Sequence, residues 1–171
     1  MLVDPQWIAR FFLFALSGCM LWVAISDAWR YLIPNTLNAL IIMLFALAAL
    51  LLPVAPLPAL GAAVIVLIIG LGLFTLGLMG GGDIKLLVAL SLWTGWGIAT
   101  LQFIFLTAVF GGALVFAVLL LRVVIPPLLK RNHPDRTLPR LLTKKQPVPY
   151  GIAIAAAFAW LLWTGNVVGL H

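Results

Sequence analysis

The sequence predicts an all-α membrane protein, a single domain over residues 1–171 built as a bundle of about six transmembrane helices. Three observations lead there. Hydrophobic residues make up 65% of the chain and charged residues only 8%, against roughly 25% charged in an average soluble domain, and the mean hydropathy is +1.24. The apolar residues fall in runs of near-membrane length, since a helix rising about 1.5 Å per residue needs about 20 of them to cross a hydrocarbon core of about 30 Å. The longest polar stretch, residues 122–148, is short and proline-rich, which leaves no room for a separate soluble domain.

The N-terminal segment MLVDPQWIARFF carries Asp4 and Arg10 rather than a positive cluster, and no small-residue cleavage site follows its apolar run. It is therefore expected to be a retained first span, about 7–25, and not a removable signal. Span 2 is expected over about 37–52. Pro53, Pro56 and Pro58 crowd the connection to span 3, about 59–78. Residues 86–121 carry no formal charge and are too many for one crossing, so the chain must turn inside them. Gly95-Trp96-Gly97 is the stronger breaker and Gly111-Gly112 the weaker, because glycine destabilises a helix and admits the φ values a tight turn needs. That choice yields a short span 4, about 84–94, and a long span 5, about 98–121. Span 4 must start deep or be sheltered by neighbours. Span 6 follows over about 150–169. Trp93, Trp96, Trp160 and Trp163 are expected as interfacial anchors, and Cys19, the single cysteine, as a small core residue.

Charge sets the orientation. Between Arg122 and Lys145 seven basic residues face one acid, Asp135, and this imbalance accounts for the whole formal net charge of +6. By the positive-inside rule the loop 122–148 is cytoplasmic, with a default role in orientation and lipid contact. Alternation then places the 26–36 and 79–85 connections on the same side, together with Arg30 and Lys85, and both termini outside. The outer connections, 53–58 and 95–97, contain no charge. No folded basic domain presents a nucleic-acid patch.

This topology isolates two acids. Asp4 and Asp135 sit where water satisfies them, whereas Asp27 and Asp83 lie at the ends of spans on one expected side, at similar depth. An acid beside hydrocarbon costs several kcal/mol unless it is hydrated, paired or protonated. Two carboxylates within a few ångströms share a proton; the ionised member activates a water while the protonated one polarises a carbonyl, and a peptide bond is hydrolysed without metal or cofactor. Competing apparatus is absent from the sequence. His133 and His171 lie in the basic loop and at the C-terminus, no Cys, Glu or His is spaced for a metal, and no serine has a histidine at its depth. Gly80, Gly81 and Gly82, immediately before Asp83, would let a substrate backbone approach, and no Lys-Ser/Thr follows in phosphate-loop spacing, which argues against a nucleotide site. The plainer reading pairs Asp27 with Arg30 at the interface and makes Lys85 a snorkelling anchor; alternatively Lys85 biases the acid pair or holds a substrate carbonyl. Pro34 forbids simple helical continuation after Asp27, and Asn35 is placed to cap span 2.

Taken together, Asp27 with Ile33-Pro34-Asn35, then Gly80-Gly81-Gly82-Asp83-Ile84-Lys85, then Pro149-Tyr150-Gly151 opening the last span, resemble the type IV prepilin peptidases, membrane aspartic proteases with a GxGD motif. The resemblance implies that Asp27 and Asp83 are the catalytic pair, and that the protein is a multi-pass enzyme of the plasma (inner) membrane with its active site facing the cytoplasm. It also implies a prepilin or pseudopilin substrate, cleaved after a glycine to release a short basic leader. Larger members carry a cytoplasmic insertion with cysteine pairs and also N-methylate the new terminus. Here about ten residues join spans 1 and 2 and Cys19 is the only cysteine, so the chain resembles the short TadV/CpaA-like form associated with Flp/Tad-type pili, and neither methyl transfer nor its cofactor is carried over. A basic leader would be repelled by the loop 122–148; the substrate's apolar helix is expected instead beside Gly70, Gly72 and Gly77 of span 3.

Two other readings use the same acids. A presenilin-like intramembrane protease shares GxGD but carries Pro-Ala-Leu where this chain has Pro149-Tyr150-Gly151. A proton-coupled carrier would hold its acids near the midplane and show internal repeats, and neither feature is apparent.

Overall fold

A computed structural model describes residues 5–132, 148–167 and 170. Over these residues the chain forms six helices: α1 (Pro5–Arg30), α2 (Asn35–Leu51), α3 (Pro56–Thr75), α4 (Gly81–Thr94), α5 (Ile98–Asn132) and α6 (Gly151–Trp163). Three of them, over Gln6–Arg30, Pro56–Thr75 and Ile98–Pro126, are long and apolar enough to cross a membrane. Their outward faces carry large apolar side chains, among them Phe14, Trp22, Ile68, Leu101 and Phe105, as lipid-facing surfaces do.

The breaks between helices follow from local chemistry. Pro34 (φ −63°, ψ 135°) stands extended ahead of α2, since its ring and missing amide suit a helix boundary. Pro56 opens α3. The turn expected at Gly95-Trp96-Gly97 is present: Gly95 at φ 65° closes α4 and Gly97 at φ 147° precedes α5. Thr100 in the first turn of α5 donates to the Gly95 carbonyl and shares a hydrogen bond with Thr94, which ties the two helices across the turn. The weaker breaker, Gly111-Gly112, lies inside α5.

Four expectations are corrected. Helix α5 continues through Asn132, so residues 122–132 of the expected loop are helical; Arg122 and Lys130 interrupt a hydrophobic run without ending the helix, because arginine and lysine have high helix propensity. The remainder of that loop, residues 133–147, lies outside the described residues, as do Asp4 and His171. Helix α6 stops at Trp163, and Thr164 and Asn166 turn back onto the carbonyls of Trp160 and Leu161. Gly77 is not on a span: it follows α3 at φ 69°, with its amide on Phe74 and that of Leu78 on Leu73, the two bonds of a Schellman close. On α3 itself, Gly70 is already used, since a Cβ there would lie 2.7 Å from Ile84 Cγ2, while Gly72 faces open space. Finally, Trp93 is no interfacial anchor. It is fully buried, unlike the exposed Trp96, Trp160 and Trp163.

The short fourth helix is sheltered by its neighbours, as its length requires. Helix α4 packs against α2, α3, α5 and α6, and Ile84, Leu86, Leu90 and Trp93 on it are buried. Trp93 meets Phe12 of α1 and Phe45 of α2 at ring-centroid distances of 5.8 and 5.6 Å. Its Nε1–H donates to the Ile41 carbonyl at 3.2 Å, so the indole is both packed and satisfied. Cys19 is buried in the same core.

Candidate active site

The end of α1, the start of α2, the close of α3, the start of α4 and the approach to α6 converge on one cavity of about 780 Å³ at the end of the bundle opposite Trp93. Asp27 and Asp83 both line it, together with Gly80, Gly81, Gly82, Lys85, Asn35 and Tyr150. Pro34, Pro149 and Gly151 are not among the residues that line it.

Asp27 is held by the geometry of its own helix end. Helix α1 closes with the Tyr31 amide on the Asp27 carbonyl at 3.0 Å, and the Ser26 hydroxyl donates to the Leu32 carbonyl at 2.8 Å. These bonds fold the chain back as the extended segment 32–34. The Asp27 side chain is only 5% exposed. A Cβ on Gly151 would lie 2.8 Å from its Oδ2, so α6 reaches the carboxylate only because that position is glycine. The amides of Gly151 and Ile152, in the first turn of α6, face the carboxylate, at the helix end that favours negative charge. Its Oδ2, buried against Gly151, meets no donor in good hydrogen-bond geometry among the described residues.

Asp83 occupies the third position of α4, where it takes a hydrogen bond from the Gly80 amide. That is the return half of a capping box. It lies ahead of the apolar stretch 84–94, and partial burial, with the negative charge of Asp27 adding, pushes its carboxyl up to about 6. The three glycines do different work. A Cβ at Gly80 would crowd Asp83 Oδ2 at 3.0 Å, while at Gly81 and Gly82 it would meet Phe74 and Ile33 at ordinary contact distances of 3.6 and 3.7 Å.

Lys85 and Asn35 acquire a joint role that neither had in the sequence. Asn35 does not cap α2: the cap position is Pro34, without a side-chain bond. Instead the Asn35 Oδ1 accepts from Lys85 Nζ at 3.1 Å. Across fifty positions of sequence this bond joins the turn after Asp27 to the turn of helix carrying Asp83. Sequence reasoning also missed Gly111. A Cβ there would fall 2.2 Å from the Tyr150 ring, so Gly111 is the slot on α5 that receives Tyr150, whose hydroxyl donates to the Thr107 carbonyl at 3.3 Å. That latch seats the start of α6 against Asp27. The one available signal, a Gly-Gly pair inside a long span, reads equally well as a turn.

The arrangement is chemically that of two carboxyl groups at one cavity, one of them nearly buried, flanked by glycine-lined backbone and one ammonium group. Comparison with curated proteins and with solved structures finds no match. The model of the Type IV leader peptidase family matches residues 14–122, a segment that contains both Asp27 and Asp83, and the chain belongs to that family of peptidases.

Proposed function

We propose that this protein is a membrane-embedded aspartic endopeptidase in which Asp27 and Asp83 are the catalytic pair. Its substrates would be type IV prepilin-like or pseudopilin precursors, of the Flp/Tad type, whose leader peptide it removes at the cytoplasmic face of the inner membrane without methylating the new terminus. The observation that carries the reading is the presence of both aspartates on one cavity in a chain of this peptidase family.

With one proton on the pair, the ionised carboxylate draws a proton from a water molecule as that water attacks the scissile carbonyl, and the protonated carboxyl polarises the carbonyl oxygen. The pair titrates as a unit. Both carboxyl groups border the cavity of about 780 Å³, which has room for an extended peptide and an attacking water. The bilayer is the protein's environment, and the basic residues between Arg122 and Lys145 support the cytoplasmic assignment through the positive-inside rule.

The test is coexpression of a prepilin-like precursor with the wild-type chain, Asp27→Asn or Asp83→Asn, followed by the mobility of the precursor on a gel. Each substitution is expected to slow leader removal by about 10³-fold or more while the variant still inserts and accumulates. Near-normal processing by either variant would overturn the pair. Mass measurement of the mature N-terminus tests the single activity: a methylated terminus produced by this chain alone contradicts it.

A further inference from the structure

Two helices end at the candidate cavity, and they end alike. Helix α3 closes through Gly77 at φ 69°, and α1 closes through Tyr31 at φ 54°. Both residues line the cavity. Glycine takes this left-handed conformation freely, which is why it is the usual residue just past a helix end. Tyrosine does not, because its Cβ is driven against the carbonyl that follows. Among the described residues Tyr31 is the one non-glycine residue at positive φ. Strain of this kind persists only where the surrounding structure over-determines it, and it clusters at active sites and ligand clamps.

Contacts of the side chain inside the fold do not account for this strain. Among the described residues the Tyr31 side chain has no hydrogen-bond partner and no stacked ring, and it is only half-buried. Its neighbours describe a wall. Leu32 is 59% exposed and Leu78 72% exposed, and with Met79 and Val115 they add apolar surface to the cavity that Asp27, Asp83, Asn35 and Lys85 also line. Tyr31, four residues after Asp27, lines the same cavity.

We infer that Tyr31 is a specificity-determining residue: its ring is the wall on which the cavity seats an apolar or aromatic side chain of the substrate, adjacent to the bond placed at the aspartates. The inference rests on the peptidase reading above and adds to it the chemistry of the residue flanking the cleaved bond. Because the ring contributes to binding in ground and transition states alike, its loss raises KM and leaves kcat nearly unchanged.

The experiment measures KM and kcat for a prepilin-like precursor, together with the thermal unfolding midpoint in detergent, for wild type, Tyr31→Gly and Tyr31→Phe. Tyr31→Gly is expected to raise the midpoint by roughly 2–4 °C as the strain is released. It is expected at the same time to raise KM about tenfold, the scale on which an apolar pocket discriminates, with kcat within about threefold of wild type. Tyr31→Phe keeps the ring and is expected to stay near wild type in KM. An unchanged KM in Tyr31→Gly, a lowered midpoint in that variant, or an equal rise in KM for Tyr31→Phe each overturns the proposal. A wild-type chain that leaves the precursor intact overturns the peptidase reading instead, and this inference with it.

Discussion

At the Trp93 end of α4, Phe12 and Phe45 close around an indole with no exposed surface, and its one polar atom is satisfied by the Ile41 carbonyl. At the Asp83 end the same helix opens onto a cavity of about 780 Å³, with an unpartnered carboxylate oxygen on Asp27 and a left-handed tyrosine. The first end obeys every rule of a stable interior. The second breaks several within a few residues. Fourteen residues of helix thus join a part that holds the fold together to a part that tolerates cost, as expected where binding and chemistry require exposed polarity and clearance.

The contrast can be broken from the stable end. Trp93→Ala should lower the unfolding free energy in detergent by about 3–5 kcal/mol, because it removes a fully buried ring and leaves a cavity among three helices. Denaturant titration of purified variant and wild type measures this, and a loss below about 1 kcal/mol would mean that the aromatic cluster does not carry the bundle.

From the other end the contrast can be sharpened with pH. The carboxyl of Asp83 is raised to about 6, so the folded state binds its proton more tightly than the unfolded chain does. The associated stability is fully present at low pH and is lost as pH rises through about 6. Asp83→Asn, which cannot ionise, should therefore be more stable than wild type at pH 8 by on the order of 2 kcal/mol, with the advantage vanishing towards pH 4. Thermal midpoints of the two proteins across that range decide it; a difference independent of pH would refute the assignment to ionisation.

The smallest effect belongs to Lys85→Met. Its bond to Asn35 is exposed, so the expected loss of stability is under about 1 kcal/mol, read from the same midpoints. A larger loss would make the bond a principal fastening of the two aspartate-bearing segments.

Much of the fold was legible in local chemistry. Pro34, the prolines after Leu52, and Gly95 with Gly97 mark helix boundaries through backbone restrictions that act within a few residues. The two acids were legible for a complementary reason: in a chain with so few charges, Asp27 and Asp83 stood out at the ends of spans, although pairing with Arg30 offered Asp27 a plainer explanation. The same local logic misled at Arg122, where a charge was read as a helix end, and at Asn35, where a capping residue type was read as a cap although Pro34 already held that place.

Periodicity could say little about which helix faces meet. When nearly every position of a helix is apolar, the pattern no longer distinguishes the face turned to lipid from the face turned to a neighbouring helix. The burial of Trp93, the slot that Gly111 offers to Tyr150, the contact of Gly151 with Asp27 and the bond between Lys85 and Asn35 are therefore properties of the packed bundle. By itself the sequence determined where the chain bends and which two carboxyl groups are out of place. Only the tertiary structure brought those groups to one cavity, because that depends on helix faces and on contacts between residues far apart in the sequence.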